Sequence, residues 1–118
     1  MGRYDVIVVG GGPGGSSAAT VLSQKGLKVA LVEKSCYPRD KVCGDGIPFP
    51  AIDVVERLGA FDKIPPKGYR IEGITVSSPN GSLFKAQTSK WVDGSTGYIV
   101  PRNTFDEILF RNAVQHGV

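Results

Sequence analysis

Four β-branched residues, Val6-Ile7-Val8-Val9, run directly into Gly10-Gly11-Gly12-Pro13-Gly14-Gly15. Such a junction leaves little freedom of fold, because a buried strand must turn at once into a helix through a turn with no side chains. Gly10, Gly12 and Gly15 carry the G-x-G-x-x-G spacing. The first allows the tight turn, the second lets phosphates approach the backbone, and the third lets the helix pack closely on the strand. A pyrophosphate over that helix start meets unpaired backbone N–H groups at the positive end of the helix dipole.

The spacing alone is weak in a chain with 16 glycines among 118 residues, so its context decides. Ser16 to Lys25 supplies small residues and an apolar face at Ala18, Val21 and Leu22, closed by Gly26. Lys28-Val29-Ala30-Leu31-Val32-Glu33 follows as a near-continuous apolar run, suited to a strand covered on both faces. Its terminal carboxylate lies about 20 residues beyond the glycines, where a dinucleotide-binding unit places its ribose acceptor. Strand, turn, helix, strand and carboxylate thus fall in order within Tyr4–Glu33. Glu33 has oxygens for both the 2′- and 3′-hydroxyls of an adenosine ribose and would repel a 2′-phosphate, which points to FAD or NAD rather than NADP.

The length suits one domain with a modest core. Hydrophobic residues at 41% and charged residues at 21% are ordinary for a soluble globular chain. The formal charge of +3 comes from scattered lysines and arginines without aromatic interleaving, which argues against nucleic-acid binding. It suits cofactor phosphates or loose contact with an anionic membrane surface. No stretch approaches the roughly 20 apolar residues of a membrane span, and the first apolar run is too short for a signal peptide. A cytoplasmic location, free or peripheral to a membrane, is therefore expected. Cys36 and Cys43 are too few for a disulfide framework and have no zinc-site spacing, so no metal site is expected.

Beyond Glu33 a loop rich in charge, glycine and proline runs from Lys34 to Pro50. Ala51–Leu58 predicts a short amphipathic helix ended by Gly59. Tyr69–Thr88 reads as one β-hairpin around Pro79-Asn80-Gly81, Trp91–Thr96 as a loop and Gly97–Val100 as a short strand. Thr104 and Glu107 have the spacing of a capping box, opening a helix with Phe105, Ile108, Leu109 and Ala113 on one face. Gly117 ends that helix, and Val118 reads as the first residue of a further strand. His116 reads as a favourable charge at the helix end rather than a catalyst.

Three motifs together resemble the geranylgeranyl reductase family of FAD-dependent oxidoreductases: the glycine turn, the loop Tyr37-Pro38-Arg39-Asp40-Lys41-Val42-Cys43-Gly44-Asp45-Gly46, and Pro101-Arg102-Asn103-Thr104-Phe105-Asp106. The loop is the most specific of them. The other two are shared with flavoproteins that include aromatic-ring monooxygenases. The resemblance implies an α/β fold: a Rossmann-like FAD-binding βαβ unit with an inserted hairpin, residues 1–118 being the truncated N-terminal part of a larger flavoprotein that lacks its substrate-binding domain. It implies that Gly10, Gly12, Gly14 and Gly15 hold the FAD pyrophosphate and Glu33 the adenosine ribose. Cys43, Gly44 and Gly46 would lie along the flavin and ribityl side, with Arg102 reaching back to the cofactor.

Arg39 and Lys41 read equally well as surface charges near the cofactor mouth. Cys43 reads as a small packed residue whose backbone does the binding; the alternative is a redox-active thiol with its pKa lowered by a neighbour such as Lys41. The activity implied is reduction of C=C bonds in isoprenoid chains by hydride transfer from reduced flavin, this portion alone being inactive, with no catalytic residue assigned. The partners implied are an isoprenoid lipid, quinone or chlorophyll-precursor substrate, and reduced nicotinamide or ferredoxin as electron donor. Two other readings stay open: the FAD-binding portion of an aromatic-ring monooxygenase, and a non-catalytic nucleotide-binding module.

Overall fold

The computed structural model describes residues 2–87 and 96–118. Trp91 and most of the loop predicted at Trp91–Thr96 lie outside the described residues, as does Thr88 at the end of the predicted hairpin. Strand β1 (Val6–Val9) and strand β2 (Val29–Val32) pair in parallel, Val6 opposite Val29 and Val9 opposite Val32. Helix α1 (Pro13–Gln24) makes the crossover and ends at Gly26, whose φ of +84° suits a residue without a Cβ. The predicted βαβ unit is therefore present. Its helix starts three residues before Ser16, because Pro13 takes the first helical position, where its missing N–H costs nothing.

Helix α2 (Phe49–Arg57) follows a two-residue strand β3 (Gly46–Ile47) and ends at Gly59, at φ +76°. Strands β4 (Tyr69–Arg70) and β7 (Tyr98–Ile99) complete a second sheet in the order β3-β7-β4, all antiparallel. Strands β5 (Gly73–Ser77) and β6 (Leu83–Gln87) form a separate hairpin with Val76 opposite Phe84. The single hairpin predicted over Tyr69–Thr88 thus divides. Tyr69 and Arg70 leave it to pair with β7, a long-range choice that alternation of apolar residues within one segment does not encode.

Helix α3 (Arg102–Gln115) ties the layers together. Ala113 packs with Ala19 and Val29 under the βαβ unit. Phe105 and Leu109 belong to the larger cluster with Ile47, Ile52, Val55, Leu58, Ile64 and Val100. The predicted capping box is not formed. The helix begins three residues earlier, with Pro101 at the cap, and Pro101 O accepts from the amides of Thr104 and Phe105 at 3.0 and 2.9 Å. Proline fixes φ for helix entry and Arg102 is drawn inward to Asp106, so Thr104 sits within the first turn with its hydroxyl on Asn103. Gly117, at φ +90°, ends the helix as predicted. The Val118 amide donates back to Ala113 O at 3.2 Å, which closes the helix end. Among the described residues no helix is long and apolar enough to cross a membrane.

Candidate functional site

The glycine turn is shaped by close packing on one side and left open on the other. Gly10 has φ +101°, and its amide donates to Val32 O at 2.7 Å, which continues the β1–β2 pairing into the turn. A Cβ on Gly15 would fall 1.8 Å from Gly10 O, so the helix start rests directly on the turn. Gly14 has nothing within 4 Å of a would-be Cβ, and Gly12 has only Arg39 Nη2, at 3.5 Å. Helix α1 has no side-chain cap and no acidic residue in its first turn, so its positive end is left for an outside anion.

Gly11 is the residue that spacing alone passes over. Its amide donates to Glu33 Oε2 at 2.6 Å, and its carbonyl accepts from Ser16 Oγ at 2.8 Å and from the Tyr37 hydroxyl. A Cβ there would meet Phe110 Cδ2 at 3.0 Å and Glu33 at 3.2 Å. Three side chains from α1, β2 and the following loop therefore fix the peptide at the centre of the turn.

Glu33, at the end of β2, also accepts from the Ser35 amide at 2.9 Å. These two amide donors, that of Gly11 foremost, hold its carboxyl below the usual carboxylate pKa. A carboxylate offers about four lone-pair sites. Two therefore remain for a pair of ribose hydroxyls. Glu33 lines a cleft of about 370 Å³ together with Gly10, Gly12, Ser35, Arg39 and Lys41.

At the other end of the loop, the Asp45 amide and the Arg102 guanidinium beside Cys43 lower the pKa of its thiol. The charged partner is Arg102 rather than the expected Lys41. The side chain is exposed rather than packed, because the loop carries it outside the core. Gly44 has open space around its would-be Cβ, and Gly46 pairs with Ile99 in the second sheet. Arg102 Nε and Nη2 grip Asp106 at 2.6 and 2.9 Å, and its amide bonds Asp45 Oδ1 at 3.3 Å.

Asp106 is fully buried and also receives Arg39 Nη1 at 2.6 Å. The structure thus brings Gly10, Gly12 and Glu33 to one cleft and Cys43 to Arg102, with Asp106 joining the two groups through Arg39. The sequence signal for Asp106 was its place four residues after Arg102, the spacing that puts two charges on one helix face.

This arrangement fits a dinucleotide. The backbone of Gly12 and Gly14 faces space that a Cβ would fill, a helix N-terminus is free of acidic side chains, and a carboxylate with open lone pairs stands at the strand end. Residues 3–118 match the family described as FAD binding domain. The chain belongs to that family.

FAD is accordingly its cofactor, and the chain is the FAD-binding portion of a flavoprotein oxidoreductase. It is 47% identical over 98% of its length to a menaquinone reductase of Mycolicibacterium smegmatis, covering 28% of that protein. It is 38% identical, over 98% of its length, to a digeranylgeranylglycerophospholipid reductase of Methanothrix thermoacetophila, again covering 28%. A myxobacterial chondrochloren halogenase, described as FAD-dependent, superposes with a TM-score of 0.85 at 28% identity, over 98% of this FAD-binding domain and 27% of the halogenase. The domain therefore spans about a quarter of the length of these relatives. Reductases and halogenases share it, so the match establishes the flavoprotein class more broadly than the reductase resemblance alone.

Proposed function

We propose that this domain serves an enzyme that reduces C=C bonds of isoprenoid chains. The observation that carries the reading is the 47% identity to a menaquinone reductase in a chain that holds the reductase-like loop Lys41-Val42-Cys43-Gly44-Asp45-Gly46. The identity to a digeranylgeranylglycerophospholipid reductase also supports it. Gly10, Gly12, Gly14 and Gly15 cradle the pyrophosphate, and Glu33 takes the adenosine ribose. Cys43, Gly44 and Gly46 present backbone to the flavin and ribityl side, with Arg102 reaching back to the cofactor. Bound and reduced, the flavin supplies a hydride to one alkene carbon while a proton reaches the other. An apolar cavity of about 340 Å³ between Gly46, Pro48, Phe49, Ile71 and Ile74 suits a hydrocarbon substrate.

The substrate class is a prenyl group on a lipid, quinone or chlorophyll precursor, with reduced nicotinamide or ferredoxin as donor, in a protein that visits the membrane surface from the cytoplasm. The halogenase likeness favours a second reading, oxygen-dependent chemistry on an aromatic substrate. The test is anaerobic: the full-length protein carrying this domain is reduced with dithionite, freed of excess reductant and mixed with a geranylgeranyl lipid that has no quinone ring. Flavin reoxidation, with two hydrogens gained per bond reduced, supports the reading. Flavin that stays reduced until oxygen is admitted, then halogenates or hydroxylates an aromatic ring, overturns it.

A further inference from the structure

We propose that Arg39 is a pyrophosphate-binding group of the FAD cleft and that buried Asp106 is the positioning residue that seats it. The inference rests on the pyrophosphate lying over Gly12 and Gly14. The guanidinium of Arg39 is held on three sides. Nη1 meets Asp106 Oδ2 at 2.6 Å, Nη2 bonds the Tyr37 hydroxyl at 3.3 Å, and the group stands 5.2 Å over the Tyr37 ring, itself stacked on Phe110. What remains is the Nη2 edge, 3.5 Å from where a Gly12 Cβ would stand.

A surface arginine needs no such seat; this side chain is only 21% exposed and Asp106 not at all. The ion pairing points the same way. One carboxylate, Asp106, is shared by two guanidiniums, Arg39 and Arg102, and it takes only Nη1 of Arg39, so the ion pair leaves the Nη2 edge beside the glycine turn. Glu33, the other nearby carboxylate, has an amide hydrogen bond on each oxygen. A fixed guanidinium with a free edge is suited to a phosphate oxygen, and its geometry is set before the ligand arrives. Because Asp106 also grips Arg102, the same carboxylate orders the loop at Cys43, so the two ends of the cofactor site share one anchor.

The test compares ADP with adenosine by titration calorimetry on the full-length protein, deflavinated and shown to rebind FAD. Arg39→Gln leaves Asp106 its bidentate partner Arg102 and so preserves the fold. It is expected to weaken ADP roughly tenfold to a hundredfold while changing adenosine less than twofold. Asp106→Asn is expected to reduce the ratio of ADP to adenosine affinity in the same direction. Arg39→Lys keeps the charge but lacks the fork, and is expected to fall between Gln and the native residue. ADP binding unchanged in Arg39→Gln, or ADP and adenosine weakened in parallel, overturns the proposal. Native protein that binds neither ligand overturns the underlying placement of the pyrophosphate instead.

Discussion

Gly14 and Gly15 are adjacent, yet adding one methyl group to each should have opposite effects. On Gly15 the new Cβ would stand 1.8 Å from Gly10 O and 3.0 Å from its carbonyl carbon. Relief requires the start of α1 to lift by about 1.2 Å from the turn it rests on, against backbone that cannot rotate aside. Overpacking of this kind costs about 3 kcal/mol, which in a full-length protein several times longer than this domain lowers the melting temperature by at most about 6 °C. On Gly14 nothing lies within 4 Å, and alanine is the better helix former, so stability should be unchanged or rise by up to about 0.5 kcal/mol. That same methyl enters the cradle and should weaken FAD by at least about tenfold.

Thermal unfolding of the full-length protein and FAD titration, run on both variants, separate the two effects. A Gly15→Ala protein with native stability would refute the packing reasoning. A Gly14→Ala protein with native FAD affinity would refute the placement of the pyrophosphate.

Three further outcomes follow from other parts of the site. The Gly11 and Ser35 amides lower the pKa of Glu33, so its ionised form is favoured in the folded chain; the resulting stabilisation is complete above the ordinary carboxylate pKa of about 4.3 and lost only as pH falls below it. Flavin fluorescence should therefore show no release attributable to Glu33 between about pH 8 and pH 5, and early release over that range would contradict this. Alkylation of Cys43 should have its midpoint below the free-thiol value of about 8.5, and Arg102→Gln should move it upward; an unmoved midpoint would show that Arg102 does not act on the thiol. Asn112 is buried and its side-chain amide donates to Leu58 O at 2.9 Å, so Asn112→Ala should cost about 2 kcal/mol in denaturant unfolding without altering FAD affinity.

Local patterns in the sequence predicted the local parts of this fold. The βαβ unit was legible because a strand-to-glycine junction and an apolar strand ending in Glu33 each carry their own signal. The helix at α2 was legible for the same reason, from Ile52, Val55 and Leu58 at helical spacing. What was hidden depends on residues far apart in the chain. Tyr69 and Arg70 pair with β7 rather than across their own hairpin, and Thr104 loses its cap because Pro101 starts the helix first. Asp106 closes the third motif in the sequence, yet only the folded chain brings Arg39 to it across 67 positions. Gly11 was passed over because its importance lies in Glu33, Tyr37 and Phe110, not in its spacing from other glycines.

The most direct measurement of the central claim is the crystal structure of the full-length protein with FAD bound. The account predicts the adenosine ribose hydroxyls about 3 Å from the Glu33 carboxylate, and pyrophosphate oxygens at the amides of the α1 first turn and within hydrogen-bond reach of Arg39 Nη2. An adenosine ribose placed away from Glu33, or a pyrophosphate that does not sit over the glycine turn, would contradict it.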